Sequence, residues 1–441
     1  KACAMAKRNV SLAAARFCVL FAAVQSLKDS PSLLAHGPKI SLPAAFLGRF
    51  KHSEHSRRNV FRVRSSVTDK PVDKIATEDE IRGPVLRPSL PSDPTSFDIG
   101  CVANPVVLPP SVTKTDKWQM YYYGNPGTWA NDTKGFLPTG YIGLAESTDG
   151  INWEKVVGQD EGGSILAPTG QKADFDGLHI GVGDVIRKGE DELHMYYFGG
   201  SFEEISLGGP MPPAKGLRMR IGRARSTDGG RSWERMGLVL DYNESEGLFA
   251  SWPRIILPDE EGKPWRMLYH AFNGTRWAAF EATSADNGET WTRVGKMAIG
   301  PGEPDAWDGS GVGTRAVTRS KDGELVMIYE AVGGAGGPFA GKHRFGLAHW
   351  DEASGAWIKD TQISGVPGGP ILEPGVTPLK PWTSHVIGTP YMLCGDDGSM
   401  SLYFCSKRDN DMCMSIGLVK SASGNLDPSS WNPVSPKDNC M

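Results

Sequence analysis

The sequence predicts an all-β protein, a five-bladed β-propeller with four antiparallel strands per blade. Two observations carry that prediction. A cassette of apolar strand, aromatic cluster, small-residue strand and closing Trp recurs five times at spacings of about 58–80 residues. Five copies fill positions 97–441 almost completely, in a chain whose 54 Gly and 32 Pro supply abundant turn residues.

Each part of the cassette can be read in order. The clusters are "MYYYGN" at 120, "MYYFGG" at 195, "MLYHAFNG" at 267, "MIYEAVGG" at 327 and a looser "SLYFCS" at 401. The strand before each reads "ANPVVL", "VGDVIR", "SWPRIIL", "GTRAVTR" and "GTPYML". The strand after reads "YIGLAES", "RIGRARS", "WAAFEAT", "FGLAHW" and "SIGLVKS", with small residues at alternate positions. Each unit closes on Trp153, Trp233, Trp291, Trp357 or Trp431, giving blades at about 97–157, 175–237, 247–295, 307–360 and 382–435. "STDGGRSW" and "SADNGETW" share an S-x-D-x-G-x-S/T-W turn, with "STDGINW" one residue shorter. Asp caps such a turn, Gly supplies positive φ and Trp packs back on the hairpin, so Asp149, Asp228 and Asp286 are read as structural.

The N-terminal part differs in kind. Residues 1–66 carry 12 Lys/Arg against 2 Asp/Glu and are rich in Ser and Ala, the composition of an organellar transit peptide. A chloroplast is the expected destination, a mitochondrion or the secretory pathway the alternatives; residues 67–96 are read as a linker or extension. The remainder carries 35 basic against 49 acidic groups, which gives no electrostatic reason to bind nucleic acid. No apolar run past the leader reaches the ~20 residues of a membrane-spanning helix. Cys101, Cys394, Cys405, Cys413 and Cys440 make an odd set without a C-x-x-C pair, so no disulfide framework, zinc site, metal or cofactor is expected.

On these motifs the chain resembles two groups. The turn pattern is similar to the Asp-box of sialidases and other propellers. Five blades whose innermost strands bear N-P, D-V or T-P resemble the five-bladed glycoside hydrolase superfamily of arabinanases, β-xylosidases, levansucrases and invertases (families 43, 32, 62 and 68). That resemblance implies carboxylates near the start of the innermost strand in the first three blades: a base or nucleophile, a tuning group and a general acid. Glycoside cleavage needs an anion on one face of an oxocarbenium-like transition state and a proton donor at the leaving oxygen.

Carried over by position, Asn104-Pro105 stands where Asp-Pro is expected, with Asp98 six residues earlier as its substitute. Asp184 takes the tuning position, with Asp176 and His179 upstream. Ser251-Trp252 precedes Pro253 where an acid is expected, and Glu246 is the nearest Glu. Strand direction adds a second set: Tyr123, Phe198, His270, Glu330 and Phe404 follow the cluster Tyr at the funnel rim, with Glu330 a candidate proton donor raised by burial. Arg254, Arg315 and His385 are read as substrate-orienting groups, and Trp129, in one of three long rim loops, as a sugar-stacking platform.

The expected function is cleavage or transfer of a glycosyl group of a small oligosaccharide or sugar conjugate. A propeller that binds carbohydrate or protein without cleavage is one alternative, and a phosphorolytic enzyme is another, since family 130 phosphorylases also carry N-P near the start of a blade. The substrate partner is a carbohydrate; the oligomeric state is left open.

Overall fold

The computed structural model describes residues 83–436 apart from 91, 94, 128–138, 207–212, 335–338, 361–368, 377–378, 380–382, 384–385, 408–413 and 423. The predicted transit segment, Trp129 and His385 lie outside the described residues.

The fold is all-β. Strands β1 (Cys101–Leu108), β2 (Trp118–Asn125), β3 (Tyr141–Ser147) and β4 (Glu154–Val156) form one antiparallel sheet in chain order. A second follows with β5 (His179–Arg187), β6 (Leu193–Gly200), β7 (Met219–Ser226) and β8 (Glu234–Leu240). Next come β9 (Ser251–Ile256), β10 (Trp265–Phe272), β11 (Trp277–Ser284) and β12 (Thr292–Ile299), then β13 (Gly311–Arg319), β14 (Leu325–Val332), β15 (His343–Asp351) and β16 (Ala356–Lys359). These two quartets count as one eight-stranded sheet through a single parallel pairing, Trp277 with Gly311. The last sheet is β17 (Val386–Cys394), β18 (Met400–Lys407), β19 (Ser415–Ser421) and β20 (Asn432–Val434).

Burial runs as a gradient across each quartet. The first strands of the first two quartets are near-continuously buried: β5 exposes only the end at Arg187, and β1 buries everything from Val102 to Leu108. Fourth strands such as β8 and β12 are largely exposed. The first strands also touch one another in a closed circuit, β1 to β5, β5 to β9, β9 to β13, β13 to β17 and β17 to β1. Apolar residues on both faces of an inner strand therefore find partners, while the outer strand keeps one wet face.

The recurrent turns work at the seams between quartets. Asp228 accepts the Arg231 and Ser232 amides at 3.0 Å and the Ser226 hydroxyl at 2.7 Å, while Trp233 Nε1 donates to the Gly230 carbonyl at 3.0 Å. Asp149 and Asp286 likewise accept the Ser hydroxyl and two backbone amides of their own turns. Each turn Trp then meets a cluster Tyr of another quartet edge-on: Trp233 with Tyr121, Trp291 with Tyr196 and Trp153 with Tyr403. At Gly230, φ is +87° and an added Cβ would lie 1.9 Å from Tyr121 Oη, so only glycine admits the tyrosine.

A short N-terminal segment closes the circuit. Val85 and Leu86 donate backbone hydrogen bonds to the Ile416 carbonyl and Leu86 accepts one from Ile416, so the segment pairs with β19. Gly83 exchanges hydrogen bonds with the Ser435 hydroxyl. Val85 and Leu86 are buried among Tyr122, Tyr403 and Leu418, which links the first and last sheets.

Candidate functional site

The acidic residues upstream of the first strands fall into a repeated arrangement. Asp98 is fully buried, accepts the Tyr122 hydroxyl at 3.0 Å and pairs with Lys155 of β4 at 2.6 Å. Asp176 takes Tyr197 at 2.9 Å and Arg235 of β8 at 2.8 Å. Glu246 takes Tyr269 at 2.9–3.0 Å and Arg293 of β12 at 3.1 Å. Asp308 pairs with Lys359 of β16 at 2.5 Å, and that ammonium lies 5.6 Å from the Tyr329 ring. In the first three quartets a carboxylate joins the entry to the first strand, the cluster Tyr of the second and a cation of the fourth; in the fourth quartet Asp308 meets the cation, and the cation lies beside the Tyr ring.

Two of the four predicted catalytic acids, Asp98 and Glu246, thus sit in these latches. Neither shares a hydrogen-bond partner with Asp184 or Glu330 among the described residues. The cations had a sequence signal that the motif reading passed over: "WEK", "WER", "WTR" and "WIK" place a Lys or Arg two residues after the closing Trp. In the fifth unit the corresponding stretch is "WNP", and the Tyr403 hydroxyl donates to the Gly150 carbonyl instead.

Asp184 and Glu330 lie elsewhere, on or beside the inner strands. Each inner strand breaks register with its neighbour: between Ala103 and Val106, Val182 and Asp184, Val312 and Arg315, Gly388 and Tyr391, and opposite Leu268–His270 for β9. Three of these bulges hold non-glycine residues in the left-handed region, Asn104 (φ +54°), Trp252 (φ +47°) and Thr389 (φ +46°). Bulges re-aim side chains, and costly left-handed residues persist where surrounding contacts fix them. Asn104 is fixed in this way: its amide N–H donates to Thr389 Oγ1 at 3.0 Å and its side chain donates to the Val182 carbonyl.

Asp184 accepts the Val185 amide at 3.0 Å and the Ile255 amide of β9 at 2.8 Å. Burial raises its pKa above the ordinary carboxylate range, outweighing the Arg254 charge and both amides. Arg254 is itself a tie rather than a free hand: it donates to the carbonyls of Gly183 on β5, Arg315 on β13 and Pro390 on β17, and stacks 4.8 Å from the Tyr391 ring. One guanidinium so joins four inner strands. Arg315 donates to the carbonyls of Gly313, Trp252 and Leu268; burial and the Arg254 charge pull its pKa down to about 9.

Glu330 is held by three donors. His343 Nδ1 lies 2.7 Å from Oε1, the Thr389 amide donates to Oε2 at 3.1 Å, and the Thr314 hydroxyl donates to the same oxygen. Burial alone would raise this carboxyl, as the sequence reading expected. The His343 hydrogen bond and charge, the Thr314 hydroxyl and the Thr389 amide outweigh it, so its pKa is lowered. Glu330 is an anion in the folded protein, suited to accept a proton or face a cationic transition state rather than to donate. His343 begins β15, at the end of the Gly-rich stretch "AVGGAGGPFAGKHRFG", whose glycines carry no sign of its partner.

His270 lies against rings, 4.8 Å from Trp252 in a stacked pair and edge-on to Phe249 and Trp277. Burial and the Arg315 charge drive its pKa well below the imidazole range, so it is neutral. His179 Nε2 donates to the Gly216 carbonyl at 2.8 Å, and burial lowers its pKa to about 4. Tyr123, Phe198 and Phe404 are buried. Among the described residues no group of three His, Cys, Asp or Glu is gathered to hold a metal ion.

No family model matches the chain, and no curated protein matches it in sequence. Solved structures do match in fold. A glycoside hydrolase aligns with TM-score 0.53 at 16% identity, covering 74% of this chain and 88% of its own. A glycosyl hydrolase from Bacteroides ovatus aligns at 0.51 and 14% identity, covering 83% and 94%. A third comes from work on the GH130 family of mannoside phosphorylases, described as containing glycoside hydrolases that target β-1,2 mannosidic linkages in Candida mannan. It aligns at 0.50 and 15% identity, covering 84% and 99%. At such identities the likeness is one of fold, the propeller-type architecture of glycoside hydrolases.

Proposed function

We propose that the closed circuit of inner strands is the axis of a five-bladed propeller and that glycosyl transfer takes place where the inner strands bulge. The observation that carries this reading is the sorting of the carboxyl groups. Asp98, Asp176 and Glu246 are committed to a Tyr and a Lys or Arg at the latches and Asp308 to a Lys. Asp184 on the inner strand β5 and Glu330 on β14, tied to the inner strands β13 and β17, instead have pKa values moved in opposite directions. A raised carboxyl keeps its proton for a leaving oxygen; a lowered one supplies the anion for an oxocarbenium-like transition state or for activating an acceptor. Asp184 is assigned the acid role and Glu330 the anion role, with His343, Thr314 and Thr389 holding Glu330 in place. The substrate is a small oligosaccharide or sugar conjugate, and the basic leader supports delivery to a plastid.

The test is turnover of a panel of aryl glycosides, with and without inorganic phosphate, by the full chain and by Asp184→Asn and Glu330→Gln. Removing general acid–base assistance is expected to lower kcat/KM by about 10²–10⁴-fold. Variants as active as the parent would remove the assignment. A second reading, carbohydrate binding without cleavage, is favoured by Asn104 at the position of a family aspartate and by the latched state of Asp98 and Glu246. It predicts saturable binding of sugars with no turnover of any of the panel.

A further inference from the structure

We propose that β9 and the adjoining β13 form an oxyanion-binding subsite from Ser251, Trp252 and Arg315. Three donors on these residues are buried and unpartnered: Ser251 Oγ, Trp252 Nε1 and Arg315 Nε. Ser251 is fully buried and Arg315 is 1% exposed. They are neighbours. Ser251 stands opposite His270 in the β9–β10 ladder, Trp252 stacks on that imidazole, and Arg315 donates to the Trp252 carbonyl. Trp252 is itself only half-buried, so the cluster reaches the surface through the indole.

Charge argues in the same direction. Arg254 has Asp184 beside it, but Arg315 makes hydrogen bonds only to backbone carbonyls and pairs with no carboxylate among the described residues. His270, the wall of the cluster, is neutral, so it neither supplies the missing negative charge nor repels an anion. An enclosed guanidinium without a counter-charge is costly, and an oxyanion accepting from the Arg, Ser and Trp donors would satisfy all three at once. Trp252 has left-handed backbone and its indole stacks on His270, and such outliers gather at ligand clamps. The oxyanion is either a substituent of the sugar, a carboxylate or ester phosphate, or a free inorganic ion that acts as acceptor. This gives the proposed glycosyl-transfer site its substrate chemistry, and rests on that reading only for the claim that the bound group takes part in the reaction.

The experiment is thermal unfolding and calorimetric titration of the full chain in low-chloride buffer with inorganic phosphate, sulfate, glucuronate and glucose. Saturating oxyanion is expected to raise Tm by about 5 °C at a hundredfold excess over Kd, with no shift from glucose. Ser251→Ala, which removes a hydroxyl that has no partner, leaves the unliganded Tm unchanged and weakens oxyanion binding about 5–10-fold. Arg315→Lys weakens it further, because a point charge replaces the planar guanidinium. A shift with phosphate and sulfate but not glucuronate assigns the ion as free; a shift with glucuronate alone assigns it to the sugar. No shift with any oxyanion, an equal shift with glucose, or unchanged binding by Ser251→Ala and Arg315→Lys overturns the proposal. Turnover plays no part in this readout, so an oxyanion-binding protein that cleaves nothing would sink the glycosyl-transfer reading and leave the subsite standing.

Discussion

The molecule uses its buried carboxyl groups in two ways. At the outer latches Asp98, Asp176, Glu246 and Asp308 each meet a Lys or Arg from the fourth strand of their own quartet, so their charge is compensated and their geometry closed. Asp184 on β5 is held by the amide of its own neighbour Val185 and by the Ile255 amide of β9, and Glu330 on β14 by an amide, a hydroxyl and an imidazole from three other strands. Burial alone does not tell the two classes apart. What does is whether the fourth strand sends a cation, because that partner fixes the charge and uses up the carboxylate's lone pairs.

The largest expected effect breaks the comparison from the inner side: Asp184→Asn and Glu330→Gln should cost about 3–5 kcal/mol in transition-state stabilisation. Their folding stability should change far less, measured as kcat/KM beside urea unfolding. Next, Asp176→Ala strands the Arg235 guanidinium and the Tyr197 hydroxyl. Since Arg235 is 31% exposed, water takes part of the loss, and about 2–3 kcal/mol of stability is expected to go, with activity per folded molecule unchanged. A fall in activity matching that of Asp184→Asn would erase the distinction between latch and site.

The fifth quartet sharpens the comparison because its closure is of another kind. With "WNP" after β19 it has no fourth-strand cation, and the N-terminal segment pairs with Ile416 instead. Val85→Asp places an uncompensated charge in that buried contact and should lower stability by about 2 kcal/mol, read from the unfolding midpoint in urea. A surface-like response below about 0.5 kcal/mol would mean that the clasp does not hold the circuit.

The smallest effect is in pH. His179 is neutral when folded, with its pKa lowered to about 4 from an ordinary value near 6.5. The unfolded chain takes up the proton first, so this contribution is complete above about pH 6.5 and shrinks as the pH falls toward 4. Asp149 and Asp228, lowered to about 2 by turn hydrogen bonds that outweigh their partial burial, act further down. Their stabilisation is present above about pH 4 and is lost as the pH falls through 2. His179→Gln should flatten the first limb between pH 7 and 5 in denaturation curves and leave the second.

Much of the fold was legible because repetition reads registers. The M-x-Y clusters and the S-x-D-x-G-x-S/T-W turns mark second strands and third-to-fourth hairpins, and they rightly assigned Asp149, Asp228 and Asp286 to turns. The candidate site was harder. Asp98 and Glu246 look like free acids near a strand start, and only their distance to Lys155 and Arg293 reveals the latch. Arg254 reads as a substrate clamp, yet its hydrogen bonds go to three backbone carbonyls that no local pattern announces. The direction of the Glu330 shift depends on His343, thirteen residues on, and on Thr389 of another strand. Such cross-strand donors leave no trace in the spacing of a single strand.

The most direct measurement pairs one carboxyl of each class: kcat/KM per folded molecule and unfolding free energy for Glu330→Gln and Glu246→Gln, side by side. Glu330→Gln is predicted to lose activity by about 10²-fold or more while keeping most of its stability. Glu246→Gln is predicted to keep activity while losing about 1–2 kcal/mol of stability. The reverse pattern, an active Glu330→Gln and an inactive but stable Glu246→Gln, would contradict the assignment of chemistry to the inner strands.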